Sequence, residues 1–188
     1  MTDRSSVPPW ATPRRTLLAV AAFLVSLAAL AAADMWLESI TGEPVGSPMS
    51  ADATKPDLWF GYDTEEVTTL FASYGPDGRR AYAVGLVIDT VYPLALAAAA
   101  ILLWARAFGG AHRWGRIPAA VFAVLDVIEN FLFGVMLATH PSVPSGLVAV
   151  ASPITQVKLA SFWPAIVSMA VSSGVLAWRR VTKGRVAA

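Results

Sequence analysis

The stretch from Asp126 to Asn130 carries the residues of this sequence that are best suited to chemistry. Asp126, Glu129 and Asn130 stand at helical positions i, i+3 and i+4, which share one face of a helix. The residues around them are apolar enough to cross a membrane, so no water solvates these groups. A charged residue within a bilayer costs at least about 2.5 kcal/mol, and such residues normally face the protein interior. This face therefore predicts a proton-transfer or binding site.

Further polar groups occur in the neighbouring apolar segments. Asp89 and Tyr92 lie beside Pro93, which cannot donate a hydrogen bond to the carbonyl of residue 89 and so opens the backbone there. Lys158 is the one cation within these segments, and we expect it to pair with Glu129 or Asp89. A rise of about 1.5 Å per residue puts all these groups at similar depth.

This predicted layer contains three acids and one lysine. The surplus carboxylates must be protonated or bound to something else, as a proton-transfer site requires. The catalytic candidates are Glu129, Asp89 and Asp126, and the ligand-binding candidates are Asn130, Lys158, Tyr92, Trp163 and Ser161. The alternative is a buried ion-pair network that only fixes helix packing.

The composition is typical of a membrane protein. Of 188 residues, 56% are hydrophobic and 14% are charged, whereas about 25% are charged in soluble domains. The net charge of +1 excludes a strongly basic nucleic-acid-binding protein. The absence of cysteine excludes disulfides, thiolate metal sites and thiol redox chemistry. We expect no metal site and no cofactor.

The apolar segments predict an all-α fold, a single domain built as a four-helix transmembrane bundle. The helices are expected at about residues 16–37, 81–105, 117–139 and 153–178, with Pro153 in the first turn of the last helix. A cleaved signal peptide is the alternative for the first segment.

The predicted outer loop, residues 38–80, is acidic and contains a helix signal of its own. Asp63 and Glu66 resemble a capping box, and Gly75-Pro76 would end the helix that follows it. We expect this short amphipathic helix to lie on the outer membrane surface or to cap the bundle.

The distribution of basic residues predicts the orientation in the membrane. Ten of the 14 lysines and arginines lie in the N-terminal tail, the 106–116 loop and the C-terminal tail. By the positive-inside rule, both termini face the cytoplasm. We expect a multi-pass protein of the cell membrane, with the lipid bilayer as its first partner.

Residues 74–82, 89–93 and 126–130 follow the patterns YGxxGRxxY, DxxYP and DxxEN. In these patterns the chain resembles a group of bacterial four-helix membrane proteins, which implies a topology and no activity. More distantly, the chain is similar to the EXPERA superfamily, which includes the emopamil-binding sterol isomerase. The similarity lies in the order of the elements, which is one helix, an amphipathic outer segment and three further helices, with an acid in helix 2. That resemblance implies Asp89 and Glu129 as carboxylates and Trp163 as a cation-stabilising aromatic. The isomerase's histidine is not matched, since His112 and His140 lie outside the predicted core.

Three functions fit these features. The first is an intramembrane binding protein, or an isomerase- or cyclase-type enzyme, for a lipophilic small molecule such as a sterol, terpenoid or quinone, with a buried carboxylate as acid or base. The second is a proton- or ion-coupled transporter subunit, which would require a homo-oligomer because four helices enclose little lumen. The third is a structural or accessory membrane protein. An apolar cavity that opens between helices and touches Glu129 would favour the first.

Overall fold

The computed structural model describes residues 7–45, 55–110 and 112–186, and these contain helices and connections but no strand. Four segments are long and apolar enough to cross a membrane, namely Pro13–Thr41, Gly75–Phe108, Trp114–Thr139 and Ser145–Thr182. The all-α class with four helices of spanning length is therefore confirmed. The helices are α1 (Pro13–Thr41), α2 (Thr64–Ser73), α3 (Gly75–Phe108), α4 (Ile117–Thr139) and α5 (Ser145–Val186), with short 3-10 turns at Pro56–Leu58 and Trp114–Arg116.

Helix α3 is the centre of the bundle. It packs against α1, α4 and α5, and α4 also packs along α5, whereas α1 packs chiefly on α3. We call the end with the 55–62 loop and α2 the loop end. The opposite end, where α1 begins and α5 finishes, is the terminal end.

The buried core has two apolar parts of different composition. The part at the loop end is rich in aromatic side chains, including Phe71, Tyr82 and Phe133. The part toward the terminal end consists mainly of alanine with a few larger side chains, such as Leu96 and Phe122. Along α3, α4 and α5 the buried acids and Lys158 fall between these two parts. The fold thus places a polar layer between two apolar ones.

The connection between α1 and α3 contains α2, which begins with a complete capping box. Asp63 Oδ1 accepts a hydrogen bond from the Glu66 backbone N–H at 2.9 Å, and Glu66 Oε2 accepts one from the Asp63 N–H at 2.8 Å. Val67 and Phe71 are fully buried, and the Phe71 ring lies 5.7 Å from that of Tyr82. Burial of these side chains fixes α2 to the loop end of α3.

Three predicted helix boundaries are wrong: α5 begins earlier, at Ser145, and ends later, at Val186, and α3 begins earlier, at Gly75. Helix α5 begins at Ser145, so Pro153 lies inside the helix. Val148 and Ala151 are buried in the core, and the packing of these added turns outweighs the hydrogen bond that Pro153 cannot donate. Helix α3 begins at Gly75 and not near residue 81, since Pro76 suits a first helical turn.

Candidate functional site

The polar face of α4 is directed into the bundle. Asp126, Glu129 and Asn130 are 3%, 0% and 4% exposed. Their neighbours Ile128 and Phe131 are 42% and 70% exposed. The predicted inward face is confirmed, because the helical period puts the polar groups on one side and these apolar residues on the other.

Lys158 of α5 meets this face from the opposite side. Its Nζ contacts Glu129 Oε2, lies 3.3 Å from Asp126 Oδ1, and donates to the backbone oxygen of Asp57 at 3.0 Å. The expected pair with Glu129 is confirmed, but the second carboxylate is Asp126 and not Asp89. Two hydrogen bonds and a second ion pair thus compensate the burial of this ammonium group, which is only 3% exposed.

Both carboxylate oxygens of Glu129 are occupied. Oε2 contacts Lys158, and Oε1 accepts a hydrogen bond from the Thr155 hydroxyl. The Tyr62 hydroxyl lies 2.9 Å from Thr155 Oγ1. Because burial raises the pKa of Tyr62, that hydroxyl stays neutral and can donate to Thr155. Glu129 is therefore the middle of a chain of contacts that joins α4, α5 and the loop.

A loop segment that the sequence analysis missed enters the bundle beside these helices. Lys55 and Asp57 are only 4% and 3% exposed. The Lys55 Nζ lies 3.2 Å from Asp34 Oδ1 and 3.6 Å from Asp57 Oδ2, and the Tyr82 hydroxyl donates to Asp57 Oδ1 at 3.4 Å. The surplus of buried acids in the sequence was the one signal that a further cation could lie in the site. Lys55 is that cation, but it brings a further buried acid, Asp57, with it.

Burial disfavours the charged form of Lys55. The neighbouring carboxylates, led by Asp57, outweigh this effect and raise the pKa of Lys55 above its usual value. Lys55 is therefore a permanent cation at neutral pH and holds the loop against α1.

A cavity of about 190 Å³ lies next to the polar layer. Its walls come from α1, α3, α4, α5 and the loop. The apolar lining residues are Leu27, Leu30, Val45, Leu58, Phe122, Leu159 and Phe162, together with the ring of Tyr92. The charged lining residues are Asp34, Lys55, Asp57, Asp89, Asp126 and Lys158.

Asp89 differs from the other carboxylates that line the cavity. Asp34 and Asp57 pair with Lys55, and Asp126 pairs with Lys158. Within the part of the chain that the structure describes, Asp89 forms no ion pair, although it is 6% exposed. Its carboxylate interacts electrostatically with both lysines, with Asp57 and with Asn130. Asp89 is therefore the cavity carboxylate that is free to take a proton or a cationic group.

The remaining sequence candidates divide into two groups. Tyr92 lines the cavity, and its ring lies 5.8 Å from Phe23. Asn130 donates to Asp126 Oδ2 at 3.1 Å, and its own Oδ1 has no hydrogen-bond partner among the described residues. These two residues belong to the site.

Ser161 and Trp163 are not brought to the cavity. The Ser161 hydroxyl donates to the Lys158 backbone oxygen of its own helix at 2.8 Å. Trp163 is 58% exposed. It follows Lys158 by five residues, which is about 140° around a helix of about 3.6 residues per turn, so it faces outward when Lys158 faces inward.

The chain was compared with protein-family models, with curated proteins and with solved structures, and no match was found in any of the three comparisons. The resemblances to a bacterial four-helix group and to the EXPERA superfamily thus stay predictions. Any functional conclusion rests on the geometry of the site.

Proposed function

We propose that this protein is a multi-pass membrane protein that binds a lipophilic small molecule in the cavity beside the polar layer. The apolar part of the ligand would contact α1 and α5, and its polar end would meet Asp89 and Asp126. Four helices of spanning length support the membrane location. The mixed lining of the cavity, apolar on the walls and charged at one side, supports an amphiphilic ligand.

The observation that carries this proposal is Asp89, a buried cavity carboxylate without an ion pair in the described chain. A purely structural ion-pair network would gain nothing from leaving one acid unpaired against an apolar cavity. A ligand with an amine or another hydrogen-bond donor at its polar end would neutralise or bind that group.

The size of the cavity limits what it holds. About 190 Å³ is less than the roughly 300–1,000 Å³ of pockets that enclose drug-sized ligands. The polar end and a few adjoining carbons would fit inside. The rest of a longer molecule would leave between α1 and α5, where the walls are leucine and phenylalanine.

The same geometry assigns roles if the protein is an enzyme. Asp89 is the best candidate for general acid or base, because it lines the cavity and forms no ion pair with a described residue. Glu129, the leading sequence candidate, is fully buried, does not line the cavity and has both oxygens occupied. The expected contact between the cavity and Glu129 is therefore wrong, and the acids that line the cavity include Asp89 and Asp126 instead. The role of Glu129 would be to position Lys158.

Proton-coupled transport has less support. Toward the terminal end, beyond Asp126, the described buried residues include serine and threonine but no charged group. A proton path that continues from the polar layer to the terminal end therefore has no charged relay there.

Photoaffinity labelling tests the proposal. The probes are a long-chain alkylamine with a diazirine and the alcohol of equal length, each added to the purified protein in detergent. We expect the amine to label Leu27 or Phe162 and the Asp89→Asn variant to bind it at least about 10-fold more weakly, since a hydrogen bond to a charged group contributes roughly 1.5–3 kcal/mol. Binding of the alcohol should change less.

A matched pair of variants controls for the location. Leu30→Trp fills the cavity, whereas Leu24→Trp adds the same bulk on the 55% exposed outer face of α1. Leu30→Trp should abolish labelling by both probes and Leu24→Trp should not. Equal labelling of the two variants, or unchanged amine binding by Asp89→Asn, would show that the cavity is not the binding site.

A further inference from the structure

A second groove lies at the terminal end, on the side away from the cavity and its carboxylates. It has a volume of about 490 Å³ and is formed by α1, α3 and α5. Each of these helices contributes one arginine to it, Arg14, Arg106 and Arg180. We propose that this groove binds an anionic phospholipid, with the three guanidinium groups around the headgroup phosphate and an acyl chain along the apolar wall.

The charge of the groove supports an anionic ligand. No acid is among its lining residues. Within the described chain, none of the three arginines forms an ion pair. Guanidinium groups bind phosphate oxygens through paired N–H donors, so an anion at this position would satisfy groups that no described side chain neutralises.

The other polar groups of the groove are already engaged within their own helices. The Thr16 hydroxyl donates to the Thr12 backbone oxygen at 2.9 Å, and the Ser173 hydroxyl donates to that of Met169 at 2.8 Å. The arginines are therefore the donors that remain for a ligand.

The apolar lining favours a lipid over a free phosphate ion. Leu17, Val20, Leu103 and Leu176 complete the wall, and Leu17 is 70% exposed at the surface that would face the bilayer. Basic pockets between membrane helices on the side with excess positive charge are suited to lipid headgroups.

The groove near Arg79 and Arg80 at the loop end provides a contrast. There Arg80 pairs with Asp77 at 3.3 Å, and Arg79 donates to the Phe71 backbone oxygen at 3.0 Å. Those arginines have protein acceptors, whereas the three at the terminal end have none among the residues that the structure describes. The charge pattern therefore singles out the terminal groove. This inference rests on the proposed membrane location but not on the lipophilic ligand of the cavity.

Native mass spectrometry of the purified protein, with phosphatidylglycerol or phosphatidylcholine added, tests the proposal. The groove variant is Arg14→Gln, Arg106→Gln and Arg180→Gln together. The matched control is Arg15→Gln, Arg113→Gln and Arg179→Gln, which removes equal charge from positions that do not line the groove. A basic residue near an anionic lipid contributes roughly a factor of 5 in affinity, so we expect phosphatidylglycerol to bind the groove variant at least about 10-fold more weakly than the control.

Further experiments distinguish a lipid phosphate from a free phosphate ion and control for misfolding of the triple variant. Ala177→Trp fills the groove without a change of charge and should also reduce phosphatidylglycerol binding. The single variant Arg180→Gln alters one exposed side chain and should weaken binding about 5-fold. Inorganic phosphate at millimolar concentration should not displace the lipid.

Equal phosphatidylglycerol binding by the groove variant and its control would overturn the proposal. So would equal retention of phosphatidylcholine, or displacement by inorganic phosphate. Asp89→Asn, which alters only the cavity, should leave phosphatidylglycerol binding unchanged, so failure of the cavity proposal is distinguished from failure of this one.

Discussion

Replacement of Lys55 by methionine tests whether the loop is anchored inside the bundle. Lys55 is 4% exposed and lies between Asp34 and Asp57. Methionine keeps much of the length of the side chain but removes its charge. The Asp57 carboxylate would then keep only the Tyr82 hydroxyl, at 3.4 Å, as a described hydrogen-bond donor.

The expected loss follows from the two ion pairs. Removal of one partner of a buried pair typically costs about 3–5 kcal/mol. The Asp34 side chain is 28% exposed and can be solvated, so we count only the pair with Asp57 and take the lower value, about 3 kcal/mol. For a chain of 188 residues each kcal/mol shifts the melting temperature by about 2–4 °C. We therefore expect Lys55→Met to melt about 6–12 °C below the wild type.

The pH dependence has a definite sign. The pKa of Lys55 is raised in the folded protein by the nearby carboxylates, so its contribution to stability is complete below the unfolded pKa of about 10.4. It is lost only as the pH rises through the folded value. The difference between Lys55→Met and wild type should therefore be constant from about pH 6 to pH 9.

Thermal melting in detergent measures this effect, with two controls. Lys55→Arg keeps the charge and should retain most of the stability. Arg80→Met removes an exposed pair, in which the side chains are 81% and 76% exposed, and should leave the melting temperature unchanged. A Lys55→Met variant that melts within about 1 °C of wild type would show that Lys55 is solvated and that the loop does not enter the bundle.

Three further predictions concern orientation and the site. A cysteine at Ser145 should react with an impermeant reagent added to intact cells and one at His112 should not, because the positive-inside rule predicts that the basic loop faces the cytoplasm. The reverse pattern would contradict the predicted orientation. Glu129→Gln should lower the melting temperature, because it weakens the contact with Lys158, but it should not change binding of the amine probe. Loss of probe binding without loss of stability would show that Glu129 contacts the ligand. Trp163→Ala should leave binding of the amine probe unchanged, since this side chain is 58% exposed. A loss of about 10-fold in probe affinity would show that Trp163 belongs to the site.

The sequence alone was sufficient to predict the polar face of α4 and its lysine partner. A helix puts Asp126, Glu129 and Asn130 on one face. Because the residues around them are apolar, that face is expected to point into the protein. Lys158 was the one cation available among the apolar segments, so the cost of isolation predicted a pair with Glu129 or Asp89, and the structure shows the pair with Glu129. These inferences depend on local spacing and charge count, which a sequence contains.

The sequence could not predict the part of the site that depends on the path of the loop. Lys55 and Asp57 flank a proline in a polar segment, a pattern that is equally compatible with full exposure. Their burial is determined by contacts with Asp34, Tyr82 and Lys158, which are distant along the chain. The start of α5 was mispredicted for a related reason, since the packing of Val148 overrides the local signal of a proline.

The charges of the completed site constrain its function more than any single residue does. Five acids, Asp34, Asp57, Asp89, Asp126 and Glu129, surround two lysines, so full ionisation would leave a net charge of −3 (two minus five). An isolated charge in such surroundings is neutralised by a proton when no counter-ion is present. The loop does not reduce the excess of negative charge, because it adds one acid, Asp57, together with one cation, Lys55. When a cationic ligand end binds at Asp89 and the proton leaves, the net charge of the site is unchanged, whereas an anionic end would add to the negative excess. This imbalance favours amines and neutral hydrogen-bond donors as ligands of the cavity and disfavours carboxylic acids.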